Sequence, residues 1–233
     1  MAYTTYFGIE HLPKLETAST IAFDTETCQL QPEVGKLRLL QLGSETREII
    51  VVIDVWQLDE EGWSTLDRFF DNGHRNWWAH NAVFDLGWLQ QYGIDPKGRV
   101  YCTMLASKLL NNGVPNLKHG LAHLAKRYLK LELSKEEQAS DWSAPTLTTS
   151  QLTYAAKDVE VLLKLEPKLS GMLATAGLDP AFSLECKALP AMAQMWRTGL
   201  PWNRTMLENL RKDYEHDIAQ LGKDFLLELD AAL

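Results

Sequence analysis

The chain has 233 residues, 45% hydrophobic and 23% charged, with a formal net charge of -8. That length suffices for one good-sized domain plus an appendage, and the acidic balance excludes a protein that coats nucleic acid by general basicity, though not an enzyme that grips it locally. Three scattered cysteines, Cys28, Cys102 and Cys186, exclude a disulfide framework and a zinc site, and with no apolar run of membrane length and no leader pattern in "MAYTTYFGIEHLPK" the expected setting is cytoplasmic, without a membrane partner.

Taken in chain order, the pattern predicts strands at Ile21 to Thr25, Leu37 to Leu42 and Glu48 to Val55, the last containing the β-branched run "IIVVID". "WSTLDRFFD" reads as a short helix. "NWWAHN" reads as a strand, in which one of Trp77 and Trp78 faces the core and the other a helix layer. A helix follows at "AVFDLGWLQQYG" and closes on Gly93. "NLKHGLAHLAKRYLK" has helical periodicity, with Leu117, Leu121, Leu124 and Leu129 on one face. A long helix begins at "SQLTYAAKDVEVLLKLEPKL", capped by Thr149 or Ser150. After a turn signal at Gly177-Leu178-Asp179-Pro180 the composition becomes helical. From Asn203, Leu207, Leu210, Tyr214, Ile218, Leu221 and Phe225 recur at steps of three and four, an amphipathic helix. Strands first, with helices interleaved and then dominant, predict an α/β domain with a mixed sheet.

The chemistry lies where strands end. In "TIAFDTETCQL" the apolar run Thr20 to Phe23 delivers Asp24 and Glu26, two apart and so on one face of a strand. Asp85 follows the strand end in "AHNAVFD", on a helix otherwise built from core-forming residues. Tyr154 and Asp158 are four apart on the long helix and share a face. Each alone is ordinary: an acid at a strand end is usually a cap, and a helical Tyr–Asp pair is usually a surface pair. Their order along the chain is what carries weight. His119 and His123, also four apart, have zinc-compatible spacing but lack a third ligand, and read as a surface pair on a helix.

Three motifs, "FDTET", "HNAVFDLGWL" and "YAAKD", make residues 18 to 175 resemble the DEDD superfamily of 3′-5′ exonucleases. Thr153 occupies the position at which the histidine-bearing branch carries its histidine, so the resemblance is to the tyrosine branch. It implies a ribonuclease H-like mixed sheet flanked by helices, with a C-terminal helical extension. The region "LSKEEQASDWSAPTLTTSQLTYAAKDVEVL" is similar both to ribonuclease D and to family A DNA polymerases. The tail "ECKALPAMAQMWRTGLPWNRTMLENL" is similar to the segment that joins proofreading and polymerase domains in family A. The expected division is therefore an exonuclease domain over 1–178 and, over 179–233, an extension resembling the start of a family A polymerase domain.

The resemblance implies a metal-dependent exonuclease that removes nucleotides from DNA 3′ ends and proofreads for a replicative polymerase. The alternatives are a ribonuclease D-like exoribonuclease and a silent nucleic-acid-binding module. Two divalent cations, Mg²⁺ with Mn²⁺ as substitute, would activate water and stabilise the leaving oxygen, and oxygen ligands suit them. By resemblance Asp24 bridges both, Glu26 and Asp158 hold the one that carries the nucleophile, and Asp85 serves the other. Tyr154 is a poor base near neutrality and would orient the water. Thr25, Leu30, Asn81 and Phe84 would hold the 3′ terminus. Trp142 either stacks on a base or fills the core. Lys118, Lys126, Arg127 and Lys135 are either phosphate contacts or solvated charges. The expected partners are single-stranded DNA 3′ ends and a separate or missing polymerase domain.

Overall fold

The apolar runs of the first half form one six-stranded sheet in the order β1-β4-β3-β2-β5-β6, seen in a computed structural model that describes residues 3–133, 140–199 and 201–232. β2 (Thr20–Thr27), β3 (Leu37–Ser44), β4 (Ile49–Asp54) and β5 (Asn76–Ala79) fall on the predicted strands. β1 (Thr4–Phe7) and β6 (Arg99–Cys102) add the two edges. Neither edge strand is long enough for alternation to register in the sequence. β2, β3 and β4 form an antiparallel meander, while β1 joins β4, β5 joins β2 and β6 joins β5 in parallel. The sheet is therefore mixed, with β2 and β3 at its centre. The register sets Asp24 opposite Gln41 and Glu26 opposite Leu39, and slips between Glu26 and Thr27.

Alternation along β2 sends Ile21, Phe23 and Thr25 to one face and Ala22, Asp24 and Glu26 to the other. On the first face Phe23 meets Phe70 of α1 (Glu60–Phe70) and Trp77 edge-on, each at 6.3 Å. On the second face α5 (Thr149–Thr175) crosses β2, β3 and β4. Gly43 permits that crossing: a Cβ there would stand 2.6 Å from Val159 Cγ1. The two tryptophans do not divide into a core ring and a helix-facing ring: both are buried in the core, on opposite faces of the strand. Trp77 stacks on Phe70 at 4.6 Å, and Trp78 stacks on Tyr101 at 5.1 Å.

α5 is capped by Thr148, one residue before the expected position, because Thr148 and Gln151 satisfy each other's backbone in a capping box. α2 (Val83–Gln91) follows β5 and is closed by Gly93 at φ 80. α3 (Thr103–Leu110) follows β6 directly. The predicted helix over "NLKHGLAHLAKRYLK" is shorter than its periodicity suggests. Gly120 is extended, so α4 spans only Leu121–Leu124 and runs into a π-helical turn at Ala125–Leu129. Lys130 ends that turn in the left-handed region, at φ 60.

The compact unit runs to Thr198, past the boundary expected at Leu178. α6 (Asp179–Lys187) and α7 (Leu189–Thr198) belong to it because they bury Phe182, Cys186, Leu189 and Ala193. α7 packs on α2 so closely that a Cβ on Gly87 would meet Trp196 at 2.6 Å. The second unit, 199–233, is α8 (Arg204–Ala232) with a short lead. Taken by itself, α8 is the expected amphipathic helix, with Leu207, Leu210, Tyr214, Ile218, Leu221 and Phe225 exposed along one stripe. No helix among the described residues is long and apolar enough to cross a membrane.

Candidate active site

β2 carries Asp24 and Glu26 out of the core on the face that α5 covers, and α5 presents Asp158 to them. One ligand oxygen from each of the three carboxylates lies within 4.8 Å of the others. Among the described residues no lysine or arginine pairs with any of them. Burial raises the carboxyl of Asp24 well above its ordinary range, and the charges of Asp85, Asp158 and Glu26 add to the effect. Glu26 is raised in the same way, by burial and then by Asp158 and Asp85. Asp158 is pushed up to about 6 by burial, against a hydrogen bond from the Tyr154 hydroxyl. Carboxylates this close and this poorly solvated repel one another unless protons or a cation intervene. An all-oxygen donor set without a counter-cation fits a hard divalent ion.

Asp85 stands slightly apart. It is 2% exposed, and its carboxylate accepts a 2.6 Å hydrogen bond from the Thr25 hydroxyl. Burial pushes it up to about 7, while the Thr25 bond acts in the opposite direction. Asp85 lines one cavity with Asp24, Tyr154 and Asp158, of about 360 Å³, which Asn81 and Phe84 also line. The rest of its lining is His80, Met104, Gly120 to His123 and Leu133. Of these, only His80 belongs to a sequence motif, as the first residue of "HNAVFDLGWL". Met104 and the Gly120 turn reach the cavity through packing of α3 and α4, which no local pattern reports. Asn81 takes a left-handed backbone, φ 53, to turn from β5 into α2.

Other expected contacts sit elsewhere. Leu30 lies in the loop after β2, 76% exposed, and does not line the cavity. The Thr25 hydroxyl is committed to Asp85. Trp142 corrects the stacking expectation: it is 5% exposed, with its ring 6.5 Å from that of Tyr154, so it fills the core rather than offering a face to a base. Arg127 bonds the Ser107 hydroxyl and the Lys118 carbonyl, and Lys126 pairs with Glu132. Lys135 lies outside the described residues. His119 bonds Ser107 at 2.9 Å, and the only group of described residues close enough to hold an ion is Asp24, Glu26 and Asp158.

A mixed sheet flanked by helices, with acids converging where its central strand ends, defines a nuclease domain of the ribonuclease H-like class. The chain matches the 3′-5′ exonuclease family over residues 5–174 and belongs to it, as a domain of the DEDD type. It is 36% identical over 162 residues to DNA polymerase I of Aquifex aeolicus, covering 70% of this chain and 25% of that protein. It is 31% identical over 178 residues to ribonuclease D of Cronobacter turicensis, covering 75% of this chain and 46% of that one. It thus spans a quarter to just under half of these relatives. Ribonuclease D of Escherichia coli, an exoribonuclease involved in structured RNA processing, superposes with a TM-score of 0.72 at 25% identity, over 83% of this chain and 51% of that one. Exonucleases of this family use divalent metals.

Proposed function

We propose that the chain hydrolyses the terminal phosphodiester at the 3′ end of single-stranded DNA, with Asp24, Glu26 and Asp158 as direct ligands of divalent cations and Asp85 serving through bridging water. The observation that carries this reading is the convergence of three carboxylates with no described basic partner, two of which, Asp24 and Asp158, line a cavity with Tyr154 and Asp85. Bound there as a pair, Mg²⁺ ions would acidify the attacking water and neutralise the charge that builds on the phosphate and the leaving oxygen.

The remaining roles belong to the chain. Burial and then the neighbouring carboxylates raise the Tyr154 phenol far above its usual range in the metal-free chain, which favours an orienting role over that of a base. Tyr154 lines the cavity beside Asp158, where its hydroxyl oxygen could accept a hydrogen bond from the attacking water and so set the water's direction. Asn81 and Phe84 line the same cavity as Asp24, Asp85 and Asp158 and would seat the terminal nucleotide. Leu30, on its exposed loop, is the nearest apolar side chain in sequence to the first motif that a neighbouring base could lean on. Similarity to DNA polymerase I supports DNA as substrate and proofreading beside a family A polymerase, natural setting for the α8 stripe.

A second reading, RNA as substrate, is supported by the ribonuclease D likeness in sequence and in fold. The two differ by a 2′-hydroxyl. The test is the purified chain with millimolar Mg²⁺ and 5′-labelled DNA and RNA strands of one sequence. DNA shortened stepwise from its 3′ end, faster than RNA, is the expected result. Preferential shortening of RNA would establish the second reading, and loss of neither strand would refute both.

A further inference from the structure

Arg38, in β3, is 1% exposed, and its guanidinium closes on Asp54 of β4: Nε donates to Oδ1 and Nη2 to Oδ2, each at 3.0 Å. The other N–H groups reach a segment 104 to 107 positions later in the chain. Nη1 donates to the carbonyls of Ala144, at 2.6 Å, and Trp142, at 3.5 Å, and Nη2 donates to that of Pro145, at 3.4 Å. A guanidinium has five N–H donors, and here each has an acceptor. The Trp56 ring covers the group at 4.2 Å, and its own N–H is held by the Leu37 carbonyl at 2.8 Å.

A buried ion pair adds little net stability over apolar residues of the same volume. What this one supplies is a fixed backbone, since its fork grips the carbonyls of residues 142, 144 and 145. The same segment is tied at its start by Gln151, whose Nε2 donates to Ser140 Oγ at 2.8 Å and to the Asp141 carbonyl at 3.1 Å. Between these anchors Trp142 turns its ring towards Tyr154, tilted by 43°. The tyrosine ring thereby rests against Trp142, one helical turn before Asp158 on α5.

We infer that the Arg38–Asp54 pair is a positioning device for Tyr154, acting through Trp142, and that it governs turnover rather than 3′-end binding. Neither residue lines the cavity that holds the carboxylates. The inference rests on the orienting role proposed above for Tyr154, whose hydroxyl must point at the attacking water to be of use. Lysine could not replace Arg38, because a single ammonium cannot span a carboxylate and three carbonyls.

The test is Arg38→Met with Asp54→Leu, which removes both charges together and leaves none buried alone. Turnover and KM are measured on the preferred labelled strand with Mg²⁺, in the wild type and in a Tyr154→Phe background. Misplacing a catalytic group by a fraction of an ångström should lower kcat by about tenfold, with KM held within about twofold. In the Tyr154→Phe background the same pair should change kcat by less than about twofold, because the hydroxyl it positions is already gone. Unchanged kcat in the folded variant, or a full tenfold loss in the Tyr154→Phe background, overturns the inference. Should the double variant show no cooperative melt, Trp142→Leu carries the test with the ion pair left in place. It must show the same loss of kcat and the same non-additivity, and wild-type turnover in it overturns the inference. A wild type that shortens neither DNA nor RNA overturns the reading of the site and this inference with it. An active wild type with unaltered variants overturns this inference alone.

Discussion

Asp24 and Asp158 come from strand and helix to within ligand distance of each other and of Glu26, and each should be indispensable to turnover. Asp24→Ala or Asp158→Ala should lower the cleavage rate by about a thousandfold or more, since removing even an outer-sphere partner of a metal ligand commonly costs 10–100-fold. Retention of a tenth of the wild-type rate by either would remove that residue from the set of direct ligands. Tyr154→Phe keeps every carboxylate and should be milder, which single-turnover rates would show. The same acids make the metal-free protein sensitive to pH. Asp158 and Asp85 hold their protons up to about 6 and about 7 in the folded chain, against an ordinary carboxyl value of 3.8. Between those limits the native state binds more protons than the unfolded one, so stability falls as pH rises through the window. Metal-free melts should therefore drop from pH 5 to pH 8, and Asp85→Asn should flatten the drop. A flat wild-type profile would mean that the carboxyls do not crowd one another as their placement indicates.

At the scale of elements, the site depends on how closely α5 lies on the sheet. Gly43 leaves Val159 Cγ1 2.6 Å and Leu163 Cδ1 3.0 Å from where a Cβ would stand. Gly43→Ala should cost about 1–3 kcal/mol by overpacking, read as a lower denaturant midpoint. It should also slow cleavage, because Tyr154 and Asp158 ride on the helix that must move. The two central strands, their alternation and the three motifs were legible in the sequence because each is a local pattern. "FDTET" needs only period two, and "YAAKD" only the helical repeat. β1 and β6 were not legible, since four-residue edge strands carry too little pattern. Nor was the early end of the "NLKHGLAHLAKRYLK" helix, where the extended Gly120 and a π-helical turn override leucine spacing. Trp142 could be core or surface on sequence alone. It is buried in a segment whose carbonyls Arg38 holds from more than a hundred residues away, and no local pattern encodes that contact. The wall from Gly120 to His123 is hidden for the same reason.

For the whole molecule, the compact unit ends at Thr198, and a chain cut there should fold, melt cooperatively and keep wild-type cleavage. A chain cut at Leu178 should not. It loses Phe182, Leu189 and Ala193 from the core, and with α7 it loses Trp196, which packs at Gly87 of the helix that carries Asp85. Equal melting temperatures for the two truncations would show that α6 and α7 are idle. The central claim is that Asp24, Glu26 and Asp158 hold the divalent cations on which cleavage depends. Cations that bind only the folded chain must stabilise it, by about 2.7 kcal/mol at a hundred times the dissociation constant. The direct measurement is the thermal melt of the wild type and of Asp24→Asn, each with chelator and with millimolar Mg²⁺. With chelator, Asp24→Asn should melt no lower than the wild type, because it removes one repelling charge at nearly constant shape. With Mg²⁺ the wild type should rise by several degrees and the variant should lose most of that rise. Equal rises in the two proteins would contradict the account, since the ions would then be bound elsewhere.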